Sequence, residues 1–184
     1  VSDATHTQHS PLSRTEAYQS LELLARLHAW GWQDEAKLGL VGNVLHKRAT
    51  YWELSRRGGD GGQMKQMPEV MAEFICAFEA VDLNGTLQQP GVAQIGERMV
   101  RICPWLSEEI NSHHASKHQT IVHGDFKAMN VFVPQPGAPA DTPCIPIDFQ
   151  WTGLGLGMSD VAMHLFHSVE VSALENGGEE ALLR

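Results

Sequence analysis

A chain of 184 residues with 13 Lys+Arg against 22 Asp+Glu carries a formal charge of −9. That acidic balance excludes a nucleic-acid binder held by clustered Lys and Arg, since Lys47-Arg48 and Arg56-Arg57 are the only basic doublets. No apolar run approaches the ~18 to 20 residues that span a bilayer, and 42% hydrophobic residues suit one globular domain.

Cys76, Cys103 and Cys144 are an odd number with no CxxC spacing, which is no disulfide framework. Reduced thiols and the lack of a secretory leader point to the cytoplasm. The chain opens on Val rather than Met, which reads as a processed chain or a piece of a longer one.

Residues 1–12 show no periodicity and read as a loose lead-in. Ser13 to Glu16 has the S-x-x-E spacing of a capping box. Behind it Tyr18, Leu21, Ala25, His28 and Trp32 recur at helical intervals and predict the buried face of a first helix. A second helix is expected over 43–57, ended by the Gly58 to Gly62 loop. Pro68 opens a third, striped by Val70, Met71, Phe74, Ile75, Phe78 and Val81, and Pro90 a fourth that runs to about Ile102. These stripes read as core.

The pattern changes at residue 120. Thr120-Ile121-Val122 is β-branched, the segment HGDFKAMN follows over 123–130, and Val131-Phe132-Val133 comes next. A Pro- and Gly-rich connector over 134–143 leads to Cys144 to Ile147 and then to Asp148. Two short strands about such a connector predict a hairpin, with Pro146 confined to an edge or a bulge. A last helix carries Val161, Leu165 and Val169 at four-residue spacing. The chain is therefore α+β, mostly helical, with a small hairpin.

Antiparallel pairing brings Asn130, just before the first hairpin strand, beside Asp148, just after the second. Asp125 feeds the same end. Oxygen donors of that kind suit Mg²⁺, which takes one or two carboxylates and completes its shell with phosphates and water. Phosphoryl transfer also needs a carboxylate that accepts the proton of the attacking hydroxyl. Asp125 fills that role, Asn130 and Asp148 hold the metal, and His123 braces the loop. Lys127 reads either as a cation reaching the transferred phosphoryl group or as a solvated loop lysine.

HGDFKAMN, IDFQ and GMSDVAMHL together resemble the catalytic lobe of the aminoglycoside phosphotransferase and choline kinase-like enzymes, nearest to the ecdysteroid kinase-like branch. The resemblance implies a protein-kinase-like fold and ATP- and Mg²⁺-dependent phosphorylation of a small-molecule hydroxyl. It makes Asp125 the catalytic Asp, Asn130 and Asp148 the metal ligands, and Asp160 the last-helix residue that hydrogen-bonds to the catalytic loop. Leu24 to Ala29 matches the first helix of that lobe. A complete kinase carries a Gly-rich loop and a strand-borne Lys ahead of it. Nothing before residue 14 supplies them, so residues 13–184 read as the C-terminal lobe alone, ending short of the family's last helices. A protein kinase is disfavoured, because HGD stands for HRD and DFQ for DFG.

A rival of another class is a non-catalytic lobe, or a truncated fragment without activity of its own, that binds a ligand or partner, since a missing small lobe leaves an apolar face for self-association or a partner chain to cover. His113, His114 and His118 lack the further ligands zinc needs and read as a solvated face. The Gly58 to Gly62 loop lacks a G-K-[ST] ending. Gly153 to Gly157 reads as a turn like an activation segment in preference to a second phosphate site. Trp151 is the tryptophan most suited to touch substrate.

Overall fold

Ser13 caps the first long helix, α1 (Arg14–Gly31), and the capping box forms as the sequence predicts: Glu16 Oε2 accepts from the Ser13 backbone N–H at 2.8 Å and from its hydroxyl at 2.7 Å. Burial alone would raise the Glu16 carboxyl, but the Ser13 hydrogen bonds and His9 hold it below its ordinary value. The computed structural model describes residues 5–49, 54, 62–110 and 116–174. Residues 1–51 with 115–184 form one compact unit and residues 52–114 another, where length predicts a single domain.

In the first unit, the buried line of α1 is Ala17, Ser20, Leu24 and Gly31. The predicted face was one residue out of phase, and Tyr18, Ala25 and Trp32 are exposed. Two of the four buried positions are Ser and Gly, so a search for apolar repeats passes over them. The second helix, α2 (Glu35–Val44), starts at Asp34, whose carboxylate caps the Lys37 N–H, and stops at Leu45. It lies earlier than the expected 43–57. The run His46 to Ala49 is instead non-helical, a bridge at His46 followed by a bend, and most of 50–61, including the predicted Gly-rich loop up to Gly61, falls outside the described residues.

The strands are β1 (His6–Thr7), β2 (Gln119–Val122), β3 (Val131–Pro134), β4 (Ile145–Pro146) and β5 (Gly153–Leu156). They make a three-stranded sheet ordered β1-β3-β4 and a pair β2-β5. The hairpin forms with Val131 opposite Pro146 and Phe132 opposite Ile145, and Pro146 sits on the sheet edge as expected. Residues 153–156 are a strand and not a turn. A Cβ on Gly153 would overlap the His46 backbone, one on Gly155 would come 2.8 Å from Val122 Cγ2, and one on Gly157 2.7 Å from His28 Nδ1. Glycine at every second position lets this strand fit between close neighbours.

The lead-in is tied down. His6 and Thr7 pair with β3, and Leu12 is fully buried. The Leu12 N–H donates to Ser168 O at 2.6 Å, and Leu12 O accepts from the Glu170 N–H at 3.0 Å. These bonds fasten the lead-in to the end of helix α7 (Gly157–Ser168). Leu12, Leu24, Phe126, Val131, Val133, and Leu165 of α7 form the core.

The second unit is helical in its described residues: α3 (Gly62–Lys65), α4 (Met67–Phe78), α5 (Pro90–Ala93) and α6 (Ile95–Ile110). Pro68 and Pro90 occupy first-turn positions, as predicted. The fourth predicted helix divides at Gln94, and its second part runs past Ile102 and through Pro104. No residue of α4 is buried; the rings of Phe74 and Phe78 lie 4.6 Å apart, tilted, with nearly half of each exposed, so they are not the core residues predicted. Among the described residues no helix is long and apolar enough to cross a membrane.

His164 joins α1 to α7. Its Nε2 lies 2.7 Å from Ser20 Oγ, whose own proton is directed to the Glu16 and Ala17 carbonyls at 2.9 Å. Nε2–H therefore donates to the hydroxyl. Nδ1 is buried without a partner among the described residues. Burial lowers the imidazole from 6.5 to about 4 against the opposing pull of Asp160. Because the folded value lies below the unfolded one, the unfolded chain binds the extra proton and stability falls as pH drops through that window. Between pH 6.5 and 5 the loss from this one group is about 2 kcal/mol. Urea unfolding across that range should show the decline, and His164→Gln, which keeps the donor, should flatten it.

Candidate functional site

The segment HGDFKAMN bridges β2 and β3, and the sequence makes its path compact. Gly124 has φ +85°, and a Cβ there would overlap the Trp151 carbonyl. Only glycine satisfies both conditions, the left-handed backbone and the close approach. Residues 128–130 then form a single 3-10 turn that delivers Asn130 to the start of β3.

Asp125 is buried at 4% exposure. Its Oδ2 accepts from Lys127 Nζ at 3.0 Å and from Asn130 Nδ2 at 3.1 Å, and Asn130 Nδ2 also donates to Asp125 O at 2.8 Å. The Lys127 side chain is about one-third exposed, so its ammonium meets both solvent and the carboxylate. On the opposite strand the Ile147 N–H donates to Asn130 O at 2.9 Å. That bond puts Asp148 next along the chain from Asn130's partner. Asp148 is exposed and left-handed at φ 62°, ψ 63°, with Gln150 Nε2 3.3 Å from its Oδ2.

These donors match the chemistry of a hard cation. Asn130 spends its amide nitrogen on Asp125, which leaves its oxygen as the ligating atom, and Asp148 offers an exposed carboxylate. No group of three or more His, Cys, Asp or Glu side chains among the described residues makes a ready-built metal cage. A carboxamide and one or two carboxylates are instead the sparse set that Mg²⁺ takes when phosphates complete its shell. Asn130 and Asp148 fit such an ion.

Behind the loop lies Asp160, 1% exposed. Its carboxylate accepts from the N–H groups of His123 at 2.7 Å and Gly124 at 2.8 Å. His123 is fully buried, donates from Nε2 to Ile147 O at 2.8 Å, and packs against Phe126 and Phe149. Since a carbonyl only accepts, the proton sits on Nε2. Thr152 Oγ1 adds a bond to His123 O at 3.1 Å. The six residues singled out in the sequence thus fall in one neighbourhood: Asp125, Lys127 and Asn130 bonded together, Asp148 joined through Ile147, and His123 and Asp160 beneath them.

Sequence reasoning missed His28. It read as one more position on the apolar face of α1, yet its Nε2 lies 3.1 Å from Asp160 Oδ2 and its side chain is only 13% exposed. No spacing rule links two residues 132 positions apart; a buried carboxylate's need for donors is the only signal. Of the other residues noted, His118 lies beside Trp32, and His113 and His114 are outside the described residues. Trp151 stacks on His46 at 5.9 Å, so the His46 ring covers one side of it.

The bonds to Asp160 rank its neighbours. Asp160→Ala leaves two buried N–H groups unsatisfied and should cost about 2–5 kcal/mol, whereas His28→Ala removes one donor and should cost about 1–2 kcal/mol. Urea unfolding of the two variants should give that order.

Comparison with curated proteins and with solved structures found no match. The model of the ecdysteroid kinase-like family matches residues 4–183, nearly the whole chain and all of the site described above. A family of kinase-like phosphotransferases accords with a buried Asp–Asn–Lys cluster joined to a second Asp across a hairpin. The chain belongs to the ecdysteroid kinase-like family.

Proposed function

We propose that this chain is the catalytic lobe of an ATP- and Mg²⁺-dependent phosphotransferase acting on a hydroxyl of a small molecule. The observation that carries the reading is the buried Asp125 carboxylate, with Lys127 and Asn130 both on Oδ2. Oδ1 is then the oxygen that meets an incoming hydroxyl and takes its proton as the new P–O bond forms. Asn130 keeps that carboxylate oriented through two bonds from one amide nitrogen. Lys127 stands where negative charge gathers on the transferred group, one cation beside the base. Asn130 and Asp148 would hold Mg²⁺, which when bound neutralises charge on the phosphates of ATP. Asp160 and His123 keep the loop in place. Three free cysteines suit a reducing compartment, and we place the protein in the cytoplasm.

A second reading draws on Met129, Ile145 and Phe149, which are 53%, 42% and 51% exposed on the strands and turns that carry the site. Such a surface suits a lobe that works by binding a partner chain or a second copy, with no turnover of its own.

The two readings separate in a thermal-shift titration with Mg-ATP. Under the first, saturating Mg-ATP adds about 2–3 kcal/mol at a hundredfold excess over its Kd, seen as a rise of several degrees in Tm. Asp148→Asn should abolish the metal-dependent part. Asp125→Asn should keep the shift and lower ATP turnover by about a hundredfold or more. Full turnover in Asp125→Asn would remove Asp125 as the base. A chain that shows no shift yet forms a stable complex without nucleotide would favour the second reading.

A further inference from the structure

Beside the apolar line Val161–Leu165–Val169, α7 carries a buried polar one. Asp160, His164 and Ser168 recur every fourth residue and are 1%, 0% and 2% exposed. Each meets a successive part of the HGDFKAMN segment. Asp160 takes the N–H groups of His123 and Gly124. The His164 ring lies 5.1 Å from the ring of Phe126. Ser168 Oγ accepts from the Ala128 N–H at 2.7 Å.

The Ser168 bond has the clearest consequence for the site. Ala128 is 1% exposed, so its N–H has no access to water and depends on that hydroxyl. Ala128 opens the 3-10 turn that ends on Asn130, closed by the Asn130 N–H to Lys127 O at 2.7 Å. Ser168 is itself fixed, because its carbonyl accepts from the buried Leu12 N–H. Short, buried bonds therefore tie Leu12 to Ser168 and Ser168 to Ala128, the first residue of the turn that ends on Asn130.

We propose that Ser168 is a positioning residue of the site: through the Ala128 N–H it sets the turn that aims Asn130, and with it the metal-binding geometry shared with Asp148. The proposal rests on the phosphotransfer reading of the loop. It assigns Ser168 no contact with substrate or metal. Without the hydroxyl, the turn loses the buried hydrogen bond that holds it to α7, and Asn130 samples other orientations.

The test is a Mg²⁺ titration of the ATP-induced thermal shift, made on the full chain and on Ser168→Ala and Ser168→Thr. Ser168→Ala should raise the half-saturating Mg²⁺ concentration about fivefold or more. Ser168→Thr, which keeps the oxygen, should return it to within about twofold. A merely structural serine would lower the Tm of the ligand-free chain and leave the Mg²⁺ requirement unchanged, which overturns the proposal. If the unaltered chain shows no Mg²⁺-dependent shift, the phosphotransfer reading fails, and amide hydrogen exchange decides the positioning role. Faster exchange over Ala128–Asn130 in Ser168→Ala, with Gln119–Val122 unchanged, upholds it; equal exchange overturns it. Should Ser168→Ala not fold, Ser168→Cys, a weaker acceptor of similar size, takes its place in both measurements.

Discussion

The buried carboxylate of Asp160 is the constraint on which the site depends. A charge taken out of water must be met by donors at once, and here those donors are two consecutive backbone N–H groups, His123 and Gly124, with His28 as a third. Backbone donors cannot rotate away as side chains do, so satisfying Asp160 fixes the path of the chain immediately before Asp125. The left-handed Gly124 follows from the same requirement, because the loop must turn under the carboxylate while its Cα lies against the Trp151 backbone. The first step toward chemistry is thus a problem of burial, solved by main-chain geometry.

From there the arrangement separates two carboxylates by environment and role. Asp160 is enclosed and fully engaged, with no proton-accepting task left to it. Asp125, nearly as buried, keeps one oxygen aside while its other oxygen is held by a cation and an amide. Asp148, a third, stands exposed at a left-handed position after an edge strand. A graded set of this kind, from an enclosed anchor through a half-engaged carboxylate to an exposed one, is what a single short hairpin and one helix can build when the loop between β2 and β3 is held from behind.

What was legible in the sequence was mostly local. Ser13 and Glu16 announced a helix start because both halves of a capping box lie within one turn. The hairpin could be read because its strands are rich in β-branched residues, its connector is rich in Pro and Gly, and its proline is confined to an edge or a bulge. The convergence of Asn130 and Asp148 followed from antiparallel pairing alone. What was not legible depended on partners far away in the chain. Ser20 and Gly31 are buried because His164 and β2 lie against them, and no periodicity of α1 shows that. Gly153, Gly155 and Gly157 look like a flexible turn until the backbones that crowd them are known. Ser168 carries no motif, and its meaning comes only from the loop it faces.

One consequence of the chain's order concerns synthesis. The first unit is assembled from residues 1–51 and 115–184, with the second encoded between them. A ribosome therefore releases all of residues 52–114 before β2, β3 or α7 exists. Until β2, β3 and α7 emerge, the buried line of α1 lacks the neighbours it packs on, and Leu12 and Leu24 stand exposed to other nascent chains. The helical insert is free to fold early from near contacts, whereas the site-bearing unit waits for contacts across most of the chain and is the slower of the two. Aggregation in the cell would thus start from a half-made first unit, at the helix that Ser13 caps.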